Sequence, residues 1–77
     1  MITTDEIKKI ILVGLPGSLV EVSDMIGTGD HFEVRVESKD FFGKSLIDQH
    51  KMVFSILRNE MNDRIHAVQI KTKALSA

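Results

Sequence analysis

The side chains best suited to hold a transition metal or to exchange a proton near neutral pH are three histidines, His31, His50 and His66, in a chain with no cysteine. Without thiolates there is no disulfide framework, and any bound iron or zinc would need other ligands or a partner's sulfur. His31 stands in GTGDHFEV, residues 27–34, directly after a small glycine-rich loop and at the mouth of an expected strand. His66 stands in RIHAVQIK, at the start of another. The connection between these two strands reads as long and helical, which is how neighbouring parallel strands are joined. Both strands would then begin at one edge of the sheet, about 4.8 Å apart, with the two histidines within reach of a shared ion or cluster. Each histidine also has a plainer reading. His31 falls on the polar side of its strand, where it can be a solvated surface residue. His66 shares parity with Val68 and Ile70 and can turn partly toward the core. His50 keeps helical spacing with Leu46, Val53 and Leu57, as a packed helix histidine does.

Other motifs carry less chemistry. Gly43-Lys44-Ser45 resembles the tail of a phosphate-binding loop, but the glycine that motif requires five residues earlier is Ser38. Gly14-Leu15-Pro16-Gly17 has the spacing of a nucleic-acid-clamping GXXG loop, yet it falls where a helix stop is needed. Lys44, Lys51 and Arg58 recur every seven residues and would form a basic stripe along the second helix, with Lys39 near its start. Asp48 interrupts that stripe, and such runs are commonly solvated helix faces. No spacing pairs a nucleophile with a base, so an enzyme is not expected.

The elements that position these residues follow from periodicity and punctuation. Thr3-Thr4-Asp5-Glu6 fits a capping box, and Ile7, Ile10 and Ile11 then recur at helical spacing until Gly14, Pro16 and Gly17 end the helix. Leu19 to Met25 alternates around Val20 and Val22. Residues 27–30 make a turn, and His31 to Glu37 alternates more cleanly, with Phe32, Val34 and Val36 on one side; the pair forms a β-hairpin. Ser38 to Lys44 reads as a linking turn with Phe41 and Phe42 as core anchors. Ser45 to about Met61 reads as helix, possible as two pieces, through Leu46, Val53, Leu57 and Met61 with Ile47, Phe54 and Ile56 broadening the face. Ile65 to Thr72 reads as the last strand. Residues 1–77 thus make a single α+β domain. At 77 residues its core would supply about 3–5 kcal/mol of net stability. Hydrophobic content of 43%, charged content of 27% and a net charge of −1 match an ordinary globular domain, and a nucleic-acid role would require its basic residues to segregate on one face. No apolar run is long enough for a membrane span, and the N-terminus reads as neither signal nor transit peptide, so a cytoplasmic location is expected.

Three segments resemble the BolA family: the hairpin GTGDHFEVRV, the segment FFGKSLIDQHKMV, in which Phe41, Gly43, His50 and Val53 fit the spacing F-x-G and H-x-x-V, and the ending RIHAVQIK. The loop ending in His-Phe is similar to the branch of BolA-like proteins that includes IbaG. The resemblance implies an αββααβ fold related to class II KH domains, a three-stranded mixed sheet with helices on one face.

The resemblance also implies partners. Proteins of this family form heterodimers with monothiol glutaredoxins of the CGFS type and share a [2Fe-2S] cluster with them. The histidine opening the last strand, His66 here, would be one cluster ligand. Between the first two strands the family supplies a second ligand, cysteine in some branches and histidine in others, a role the resemblance carries to His31. The glutaredoxin's cysteine and a bound glutathione thiol would complete the set. The free chain is expected to be a monomer or weak homodimer without a tightly held cluster. Some family members regulate transcription under stress, so a rival expectation is DNA binding through Lys44, Lys51 and Arg58.

Overall fold

The computed structural model describes residues 2–25, 31–61 and 67–75. Helix α1, Thr4–Gly14, starts where the capping box requires: Glu6 N–H donates to Thr3 Oγ1 at 3.1 Å, and Thr3 N–H donates to the Glu6 carboxylate at 3.2 Å. Ile2 and Ile7, the flanking positions of a hydrophobic staple, are both buried and fix the angle at which the chain enters the helix. Leu15 caps the other end through its N–H to the Ile11 carbonyl at 2.8 Å, and Gly17 turns the chain with a φ of 81° that glycine adopts without Cβ strain.

Strands β1, Leu19–Asp24, and β2, His31–Ser38, pair antiparallel, with Val20 opposite Val36 and Val22 opposite Val34. Strand β3, Ala67–Ala74, lies parallel to β2 on its other side, so β2 is central in the order β1-β2-β3. The expected turn at 27–30, and residues Ile65 and His66 of the expected last strand, lie outside the described residues. At its far end β3 continues past Thr72 to Ala74, and Leu75 N–H donates to the Ser38 carbonyl at 3.0 Å.

Two-residue alternation sorts the sheet into faces. Phe32, Val34, Val36 and Ile70 enter the core with Ile7 and Ile11 of α1 and with Val53 and Leu57 of helix α2, Leu46–Met61. The opposite face is uncovered and charged. The helices meet closely at Gly14, where a Cβ would stand 2.8 Å from Ile56 side-chain carbons.

Helix α2 is a single unbroken helix, not two pieces. The additional helical element of an αββααβ order is a 3₁₀ turn, Lys39–Phe41, placed before α2. Ser38 Oγ caps that turn by accepting from Asp40 N–H at 3.1 Å. Two expectations for the core are corrected here. Phe41 is fully buried, but Phe42 is 70% exposed, because it leaves the 3₁₀ turn with extended backbone and points away from its neighbour. Leu46 and Ile47 are exposed too: the first turn of α2 is not packed, and the helix reaches the core first at Gln49 and Val53. Phe54 keeps more than a third of its surface in solvent. Among the described residues no helix is long and apolar enough to cross a membrane.

Candidate functional site

His31 is the first residue of the central strand. Its carbonyl accepts from Met25 N–H at 2.8 Å, which ties the end of β1 to the start of β2 and fixes the histidine's backbone. The alternation that buries Phe32 turns His31 toward the uncovered face, half-buried and in line with Glu33 and Arg35. On its other side β3 starts level with it, since His31 and Ala67 are register partners. The expected parallel pairing of the two strands from a common edge is therefore present at Ala67. His66, the residue before Ala67 in the sequence, lies outside the described residues.

The next residue along this face is Glu33, whose Oε1 lies 3.4 Å from Arg35 Nε and 3.5 Å from Lys71 Nζ. These are solvent-screened pairs of small energetic value. The Glu33 carboxylate, two residues along the strand from His31, is thus engaged by two cations. Among the described residues no three histidine, cysteine, aspartate or glutamate side chains converge on a common point as a metal site would require. A metal group bound at this edge would take its remaining ligands from elsewhere.

The linkage that holds β3 against α2 is a residue the sequence did not single out. Gln49 is buried; its Nε2 donates to the Lys44 carbonyl at 3.0 Å, and its Oε1 accepts from Thr72 Oγ1 at 2.7 Å. One amide thus joins the turn before α2, the helix and the last strand. Its only sequence signal is a polar residue at helical spacing from Val53, on the face that packs. His50, beside it, is half-buried on α2.

Of the basic residues expected along the second helix, Lys44 lies just before it. Lys51 and Arg58 are exposed on α2 and share a shallow depression with Phe54, Ser55 and Met61. Lys44 precedes the helix, in the turn whose carbonyl Gln49 holds, because Ser45 caps α2 by accepting from Asp48 N–H at 3.1 Å.

A three-stranded mixed sheet with two helices on one face, and an imidazole opening its central strand, defines a small α+β domain built around one sheet edge. Residues 19–77 match the family described as BolA-like protein, and the chain belongs to that family. It is 35% identical over 71 residues to the uncharacterized protein RP812 of Rickettsia prowazekii, an alignment covering 92% of each chain. To protein BOLA2 of Arabidopsis thaliana it is 39% identical over 72 residues, covering 92% of this chain and 76% of the relative. Among solved structures it is similar to a bolA protein homologue from Coxiella burnetii, with a TM-score of 0.82 and 36% identity over 96% of this chain and 92% of that one.

Proposed function

We propose that this protein is an iron-sulfur adaptor, of the histidine-bearing branch that includes IbaG. In this reading it forms a heterodimer with a CGFS-type monothiol glutaredoxin in the cytoplasm and co-ligates a [2Fe-2S] cluster through His31 and His66, the glutaredoxin's cysteine and a glutathione thiol supplying the rest. The observation that carries it is the parallel register of β2 and β3. His31 pairs with Ala67, and one peptide bond joins Ala67 to His66. The donor set fits a shared group. The chain has no thiolate, and its described residues form no complete metal site, so histidines here would supplement a partner's sulfur.

When bound, such a cluster would supply an electron-accepting centre whose potential rises as imidazole replaces thiolate. The protein's own residues present and tune the donor. The Met25-to-His31 hydrogen bond holds the His31 backbone, and Arg35 and Lys71 engage the Glu33 carboxylate two residues along the strand. Imidazole must be neutral to bind metal, so acid favours release.

The test is anaerobic reconstitution with a CGFS-type monothiol glutaredoxin, iron, sulfide and glutathione, followed by visible absorption and circular dichroism. A heterodimer spectrum distinct from that of the glutaredoxin alone, altered by His66→Ala and by His31→Ala, is the expected result. A spectrum indifferent to both substitutions refutes the ligand assignment. The second reading, a DNA-binding regulator, draws support from the exposure of Lys44, Lys51 and Arg58. Binding through phosphate contacts would fall steeply with salt and be lost on charge reversal at Lys51 and Arg58.

A further inference from the structure

The exposed side of α2 carries a second pattern, interleaved with its cations. Ile47, Phe54 and Met61 follow one another at intervals of seven residues, and Lys51 and Arg58 each stand four residues after an apolar member. Seven residues are nearly two helical turns, so the apolar three align in one row with the cations along its flank. The row spans about 21 Å, from 14 intervals of about 1.5 Å. Its first two members stand outside the core, which α2 serves through Val53 and Leu57: Ile47 is 68% exposed and Phe54 39%, while Met61, half-buried, packs against the core at the end of the row.

We propose that this row is the docking surface for an amphipathic helix of a partner protein, one whose apolar seam is flanked by glutamate or aspartate at seven-residue spacing. Charge complementarity selects this occupant. The apolar row would bury a partner's seam, and Lys51 and Arg58 would face its acids, giving orientation and discrimination beyond the apolar contact. A second copy of this chain suits the surface poorly, because antiparallel α2 helices would set Lys51 against Arg58 of the other copy. A nucleic-acid backbone would use the two cations but leave Ile47 and Phe54 without a role, and the net charge of −1 adds no attraction for a polyanion. None of the row's residues is a ligand in the cluster reading, so the proposal does not rest on it.

The test uses the full chain, ¹⁵N-labelled, titrated with a synthetic helical peptide that has a leucine seam flanked by glutamates. A peptide with the same seam flanked by lysines is the control. The expected result is saturable amide shifts confined to residues 47–61 with the glutamate peptide. Binding should weaken on the order of tenfold in a Lys51→Glu/Arg58→Glu double variant, which should then accept the lysine peptide. Both substituted side chains are exposed, so the variant keeps its cooperative unfolding; Phe54→Ser should weaken both peptides. Absence of saturable shifts, or equal binding of the two peptides by the wild type, overturns the proposal. So does a DNA duplex that binds the same residues more tightly than the glutamate peptide, or a concentration-dependent dimer abolished by Phe54→Ser.

Discussion

Replacing Gln49 with methionine keeps the side chain's length and most of its volume but removes both of its hydrogen bonds. In the structure those bonds run to the Lys44 carbonyl at 3.0 Å and from Thr72 Oγ1 at 2.7 Å, both in partly buried surroundings. Each bond contributes about 1 kcal/mol net, and stranding the buried partners adds a fraction of their desolvation cost, so Gln49→Met should destabilise by about 2 kcal/mol. That is about half of the 3–5 kcal/mol expected of so small a core. With a urea slope of about 1 kcal/mol/M, the midpoint should fall by about 2 M, read by far-ultraviolet circular dichroism. Thr72→Val removes only one of the two bonds and should cost about 1 kcal/mol. Because the residues share that bond, the double variant should be less destabilised than the sum of the singles, by about 1 kcal/mol. Additive losses, or a Gln49→Met loss below about 0.5 kcal/mol, would refute the view that this amide joins α2 to β3.

Two further substitutions test glycines, one at the end of α1 and one in the turn before α2. Gly14→Ala places a methyl 2.8 Å from Ile56 carbons; the overpacking cost of about 1–3 kcal/mol should exceed the helix-propensity gain of about 1 kcal/mol, lowering the thermal midpoint, and Ile56→Val in the same chain should recover part of the loss. Gly43 has a φ of 79° with nothing within 4 Å of a Cβ, so Gly43→Ala should cost about 1 kcal/mol from backbone strain alone; equal stability by urea unfolding would show that the turn relaxes without strain.

Much of the fold was legible in the chain because its signals are local. The Thr3 to Glu6 capping box forms from residues within one turn, and the Gly14 to Gly17 stop acts on the same scale. The strict alternation of Phe32, Val34 and Val36 sets the buried face of β2 whatever its neighbours are. The parallel placement of β2 and β3 followed from the long helical connection, and with it the idea that His31 faces the start of the last strand. Periodicity was least informative where packing ends. Leu46, Ile47 and Phe54 have the type and spacing of core residues, yet only the tertiary structure shows that they stay exposed. Adjacent Phe41 and Phe42 look equivalent as letters; the 3₁₀ turn sends one inward and the other out.

The candidate site divides along the same line. The sequence by itself determined its chemical inventory, histidine without cysteine, and the strand on which His31 sits, because composition and two-residue alternation need no partner to be read. Only the tertiary structure decided what stands beside those residues. The register pairs His31 with Ala67, Lys71 crosses from β3 to the Glu33 carboxylate, and Gln49 reaches Thr72 across 23 residues. Contacts between residues distant in sequence depend on how whole elements pack, and no local pattern records that.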